Sequence, residues 1–229
     1  MQMDVVAPEA LREDLFDDSE DVDALFERAI NNFDAENYIE AMMLYERAAT
    51  FGHAEAMTNI GFMHDSGHGV PRNVLLAVSF YKRAADAGSC HAMFNLAMCY
   101  KLGAPDVPVN QTEALRWLVM AAEGDDVDAL NELGDLYEIG LVGVSVNHGL
   151  ACYYYNRAAT TGSAEALYNI AKMYESGHHV VKLQGDGVSK IRQVMSFYRN
   201  ALDAGFDDAK IDLQRLQKKV EFMVDLMLH

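Results

Sequence analysis

Apolar residues along most of the chain fall at i, i+3 or i+4 and i+7, the period of an amphipathic helix, and short stretches bearing Gly, Asn and Asp interrupt them. Four such segments align without gaps: AEAMTNIGFMHDSG (54–67), CHAMFNLAMCYKLG (90–103), VDALNELGDLYEIG (127–140) and AEALYNIAKMYESG (164–177). Ala56, Ala92, Ala129 and Ala166 share one column, and Ile60, Leu96, Leu133 and Ile170 another. Gly67, Gly103, Gly140 and Gly177 close the segments, at steps of 36, 37 and 37 residues. A second element recurs between them: YERAATFG (45–52), YKRAADAG (81–88), LVMAAEGD (118–125), YNRAATTG (155–162) and YRNALDAG (198–205). A period near 37 built from two helical elements predicts stacked helix pairs, none of which can bury its apolar face alone.

The residues between helices fit this reading. Glycine at the end of each first element suits a left-handed C-cap. Asn73, Asn110 and Asn147, spaced 37 apart, suit the N-cap of each second element, and Asn110 with Glu113 has capping-box spacing. The small residues Gly61, Ala97, Gly134 and Ala171 would let paired helices approach closely.

The combined pattern, A-x-x-x-L-G-x-x-Y-x-x-G, then G-V-x-x-N, then A-x-x-Y/W-x-x-A-A-x-x-G, resembles the Sel-one-like repeat (SLR), a longer relative of the tetratricopeptide repeat. The resemblance covers residues 54–205, while residues 24–49 look more like a plain tetratricopeptide unit. His64 departs where tyrosine is usual, and the position where tryptophan is expected holds Phe80, Trp117 or Tyr154, of which Trp117 conforms. The resemblance implies an all-α fold, a right-handed α-α superhelix of tetratricopeptide/SLR helix pairs. We divide the chain into an acidic N-terminal segment (1–20), a repeat array (21–205, units near 21–53, 54–89, 90–126, 127–163 and 164–205) and a C-terminal capping helix (206–229). Gly177 and Val188 are 11 residues apart, where the corresponding Gly103–Val107 and Gly140–Val144 steps are 4, so the fifth unit carries a seven-residue insertion within 178–187.

Charge narrows the choice of partner. The chain holds 18 Lys and Arg against 35 Asp and Glu, a formal net charge of −17. That field repels nucleic acid and anionic membranes and attracts a basic protein surface. Residues 1–37 carry 12 of the carboxylates against two arginines, and the stretch from Glu123 to Glu138 holds seven and no Lys or Arg. Three cysteines (Cys90, Cys99, Cys152) do not form a disulfide framework, and the N-terminus has no apolar run of the secretory kind, so a reducing, cytoplasmic location is expected.

No nucleophile elbow, P-loop or zinc-binding spacing occurs, so neither catalysis nor a cofactor is expected. Gly185-Asp186-Gly187 is a turn signal, and His178-His179 beside Asp186 is the nearest thing to a metal cluster. Cys90 and His91 open a helix, and Cys99 falls in a core column. The resemblance implies that first helices line a concave face. On that face periodicity places Thr58, Phe94, Asn131 and Tyr168 in one stripe, Phe62, Met98, Asp135 and Lys172 in the next, and Asn59, Asn95, Glu132 and Asn169 beside them. The resemblance further implies that an Asn of that last column hydrogen-bonds an extended peptide. The expected function is a protein-protein interaction module holding a partner in this groove. The rivals are an inhibitor or immunity-type protein that neutralises a toxin or enzyme, and a regulatory subunit or enzyme with a site near 178–187.

Overall fold

The computed structural model describes residues 21–140 and 143–228; the acidic segment 1–20 lies outside them. The described residues form helix pairs and no strand. The pairs are α1 (Val22–Asp34) with α2 (Tyr38–Thr50), α3 (Ala54–Ser66) with α4 (Val74–Asp86), α5 (Cys90–Leu102) with α6 (Gln111–Glu123), α7 (Val127–Ile139) with α8 (His148–Thr160), and α9 (Ala164–Ser176) with α10 (Gly187–Asp203). A last helix, α11 (Ala209–Leu228), packs on α10. The chain divides into two compact bodies, one ending at Ser89 and one beginning at Cys90.

Each pair is punctuated as its sequence requires. The side chains of Asn73, Asn110 and Asn147 accept from the N–H of Leu76, Glu113 and Leu150 at 3.0, 3.1 and 3.0 Å, satisfying one orphan donor per helix. Their own N–H groups donate to the carbonyls of His64, Tyr100 and Tyr137, 2.7–2.8 Å away. This second bond corrects the capping-box expectation. The Asn110 N–H that Glu113 would have reached is already spent on Tyr100, and the Glu113 carboxylate lies 3.7 Å from Arg116 instead. Gly67 and Gly177 are left-handed C-caps, whereas Gly140 combines φ 76° with ψ 147°. There the chain doubles back at once: a Cβ on Gly140 would stand 3.0 Å from Val146 and 3.3 Å from the Val144 carbonyl.

The core follows the columns. Ala56, Ala92, Ala129 and Ala166 are fully enclosed, as are Leu96 and Leu133, with Ile60 almost so. Tyr81 of α4 lies on Gly61 of α3, where an added Cβ would stand 2.6 Å from the ring. Tyr155 of α8 lies on Gly134 of α7, at 2.3 Å. The third pair carries Ala97 opposite the smaller Leu118. Helix spacing is therefore matched to the ring that fills it. The first and fifth pairs depart from the rule, burying Ala29 with Tyr45 and Ala171 with Tyr198, and the second helix of the fifth has 17 residues where the others have 13. That length also revises the insertion. α10 starts at Gly187, its N-cap Asp186 accepting from Ser189 N–H at 2.7 Å, so Val188 lies in a helical first turn and is not the equivalent of Val107 or Val144.

α11 buries Ala209, Leu216 and Val220 against the cluster that includes Val194, Met195 and Tyr198. The three cysteines are free, with Cys99 and Cys152 buried.

Candidate functional site

The groove residues divide into those packed into the joints of the stack and those left open. Asn131 is 6% exposed, its amide nitrogen donating to Ser163 Oγ at 3.0 Å. Thr58, in the same column, donates to Ser89 Oγ at 3.0 Å. Tyr168 packs on Phe206 with ring centroids 4.6 Å apart and donates its hydroxyl to Asp212 at 2.9 Å. Phe94 is half-buried against the core of the second body. Thr58, Asn131 and Tyr168 therefore reach the joint that follows their helix, while the Phe94 and Tyr168 rings are each half-buried. These three side chains contact residues that lead into the following helix, Ser89 before α5, Ser163 before α9 and Phe206 before α11.

The neighbouring asparagines are also engaged. Asn169 is 8% exposed, and Asn59 lies close enough to the buried Tyr45 hydroxyl to oppose the upward push of burial on its pKa. Asn95 is half-buried, its amide nitrogen enclosed without a hydrogen-bond partner. Phe62 remains open, 42% exposed, beside Phe33 and His68 in the first body. Lys172 is exposed, its ammonium 5.6 Å from the Tyr168 ring.

Met98 and Glu132 come together in the second body. They line a cavity of about 170 Å³ whose wall is formed by Ala97, Leu115, Leu118 and Leu136. Lys101 bonds Glu132 at 2.5 Å in the same lining. The cavity has a local cause. In the fourth pair the Tyr155 ring fills the corresponding space and its hydroxyl lies 2.6 Å from Asp135 and 2.9 Å from Glu138. In the fifth, the Tyr198 hydroxyl donates to Glu175 at 2.9 Å. Glu138 and Glu175 share a column with Lys101. Where leucine replaces tyrosine, the phenol and its acceptor are both missing, and an apolar space opens in their place.

Carboxylates gather beside it. Burial pushes the Asp135 carboxyl above its usual range, and the charges of Glu132 and Glu138 push it further, against the Tyr155 hydrogen bond and Lys172. Glu165 is raised by burial and then by Asp135, Asp128 and Glu132. Burial is the larger cause in both, and the neighbouring carboxylates add a repulsion that an incoming cation would relieve.

Comparison with known proteins settles the family. The profile described as Sel1 repeat matches residues 34–53, 54–89, 90–126, 127–163 and 164–190. The chain belongs to the Sel1 repeat family. A Sel1 repeat protein from Oxalobacter formigenes gives a TM-score of 0.70 at 28% identity, over 82% of this chain and 72% of that one. A protective antigen of uropathogenic Escherichia coli strains, displaying an SLR fold, gives 0.62 at 22% identity, over 85% of this chain and 48% of that one. An immunity protein from Pseudomonas aeruginosa gives 0.56 at 23% identity, over 95% and 85%. No curated protein matches the chain in sequence.

The Sel1 repeat chain is thus an all-α solenoid scaffold, and no described helix is long and apolar enough to cross a membrane. His178 and His179 do not share a site: their rings stack on His148 at 4.1 Å and on Tyr174 at 3.7 Å. Among the described residues no three His, Cys, Asp or Glu side chains are placed to hold a metal. Sequence reasoning missed Lys101, Leu118 and Leu136 as cavity residues. The signal was present in the repeat alignment, as a leucine in a tyrosine column and a lysine in a carboxylate column.

Proposed function

We propose that this Sel1 repeat chain is a protein-binding scaffold whose third helix pair receives an apolar side chain of a partner flanked by a basic group. The observation that carries the reading is the cavity left by Leu118, with the Lys101–Glu132 pair in its lining and Asp128, Asp135 and Glu165 beyond. Met98 and Glu132 line this cavity, and Asn95 brings an unsatisfied amide to the same helix as Met98. A few buried apolar anchors carry most of the energy of such interfaces, and complementary charge speeds encounter. The net charge of −17 favours a basic partner over nucleic acid or anionic lipid.

The test fills the cavity. A photocrosslinking residue at position 98 captures the partner, and its affinity is then measured for the chain and for the Ala97→Gly/Leu118→Tyr variant. That variant imitates the glycine–tyrosine pairing of the fourth pair, so it should keep the melting temperature while weakening the partner roughly tenfold or more. Full affinity with a filled cavity would remove the site.

A narrower reading, an inhibitor that neutralises one enzyme or toxin, is supported by the near full-length likeness to the Pseudomonas aeruginosa immunity protein. It requires the captured partner to be an enzyme that the chain silences stoichiometrically. A captured partner whose activity is untouched leaves the scaffold reading alone.

A further inference from the structure

Residues 178–219 reverse the charge of the chain, with eight Lys and Arg against five Asp and Glu. Three of those cations line one cavity of about 440 Å³: Lys182 from the 177–186 loop, Lys190 from α10 and Lys219 from α11. Ammoniums gathered around one space repel one another unless a counter-charge enters. Among the described residues, none of the three is ion-paired. Lys182 donates to the Gly177 carbonyl at 2.6 Å, which orients the ammonium and leaves its charge uncompensated. The carboxylate in the lining, Glu175, is already held: Arg215 grips its two oxygens at 2.7 and 2.8 Å, and Tyr198 donates to it at 2.9 Å.

A buried donor points the same way. His179 is 6% exposed and stacked on Tyr174. Its Nδ1 accepts from Val181 N–H at 3.0 Å, and burial lowers its pKa, keeping the ring neutral. A neutral imidazole that accepts at Nδ1 carries its proton on Nε2. That N–H has no acceptor among the described residues, and the ring lines the cavity. The N–H sits on a buried ring in the cavity lining, so an anionic oxygen held there would accept from it. The remaining wall is largely apolar, with Val181, Leu183, Ile191, Val194 and Leu216.

We infer that this cavity binds a small organic phosphate, with its phosphoryl oxygens on Lys182, Lys190, Lys219 and the His179 Nε2–H, and its apolar or aromatic body on the wall beside them. A phosphomonoester brings nearly two negative charges and three strong acceptor oxygens at neutral pH, which a monocarboxylate cannot match. The volume lies in the range of small-molecule sites. This site is independent of the protein-binding cavity in the third helix pair.

Phenyl phosphate, inorganic phosphate and benzoate are titrated into the full chain, followed by ¹H–¹⁵N chemical shifts. Phenyl phosphate should give saturable shifts at Val181, Leu183 and Ile191, and bind more tightly than either of the others. Lys190→Gln/Lys219→Gln should weaken it roughly tenfold or more. His179→Phe, which keeps the ring stack and removes the donor, should weaken it severalfold. Lys210→Gln, on α11 but outside the cavity lining, should leave it unchanged. Absence of saturable shifts, or equal affinity in the double lysine variant, overturns the site. Inorganic phosphate or benzoate binding as tightly as phenyl phosphate overturns the assignment of an organic phosphate.

Discussion

Gly134→Ala tests whether the tyrosine–glycine pairing sets the spacing of the helices. The added methyl would stand 2.3 Å from Tyr155 Cε1, 2.5 Å from Cδ1 and 2.8 Å from Cζ. Carbon atoms sit comfortably at about 3.5–4.0 Å, so the ring or the helix must shift by about 1 Å. Tyr155 has little freedom to yield, because it is fully buried and its hydroxyl is held between Asp135 and Glu138. Overpacking of this kind costs about 1–3 kcal/mol, against which alanine regains about 1 kcal/mol of helix propensity. The net expectation is a loss of about 1–2 kcal/mol. Tyr155→Leu alone should cost about 2–4 kcal/mol through the space it leaves. The double variant rebuilds the Ala97–Leu118 arrangement in the fourth pair, so its cost should fall short of the sum by about 1–2 kcal/mol. Urea unfolding followed by far-ultraviolet circular dichroism, with Trp117 of α6, the sole tryptophan, as a local probe, measures each arm. A neutral or stabilising Gly134→Ala, or strict additivity in the double variant, would refute the size pairing.

Phe94→Ala and Tyr168→Ala should each lower stability by about 1–3 kcal/mol, because both rings are half-buried against core clusters; unchanged urea midpoints would return them to the groove. Asp135→Asn should stabilise the chain at neutral pH. The folded-state pKa of Asp135 is raised above its usual 3.8, so its ionised form opposes folding. That penalty is full above the raised value and absent below the usual one, so the advantage of the amide variant should fade as pH falls towards the usual value of 3.8. An advantage that persists in acid would show that the ionised carboxylate, penalised by burial and by its neighbours, is not its source.

The punctuation of the fold was legible because it is local. A glycine that ends a helix and an asparagine that starts one act within three or four residues, and the alanine and leucine columns carry the 3.6-residue period directly. The fate of the Thr58, Phe94, Asn131 and Tyr168 column was not legible from the period, because the residue covering it lies 31 to 38 positions downstream in the contacts that the structure resolves. The information was nonetheless in the alignment. Thr58 faces Ser89, Asn131 faces Ser163, and the aromatic Tyr168 faces Phe206. Small polar residues accompany serine, and the large ring accompanies phenylalanine. Reading the columns in pairs across the joint predicts which of them are covered.

The same pairing logic explains where the open cavity falls. Read one column at a time, Leu118 is only a conservative neighbour of Tyr81, Tyr155 and Tyr198, and Lys101 only one more charge on a polar face. Read together, they describe one event. The ring that elsewhere fills the helix pair is shortened, the carboxylate that would accept its hydroxyl is exchanged for a cation, and that cation turns to Glu132 on α7. A stack of like repeats presents like surfaces, so a site specific to one repeat has to come from a break in the pattern. Here the break changes size and charge at the same place. An apolar cavity beside a field of carboxylates is the result, and the filled variant, Ala97→Gly/Leu118→Tyr, erases it by restoring the glycine–tyrosine pairing. Partner binding that survives this restoration would mean that specificity resides in another break of the repeat pattern.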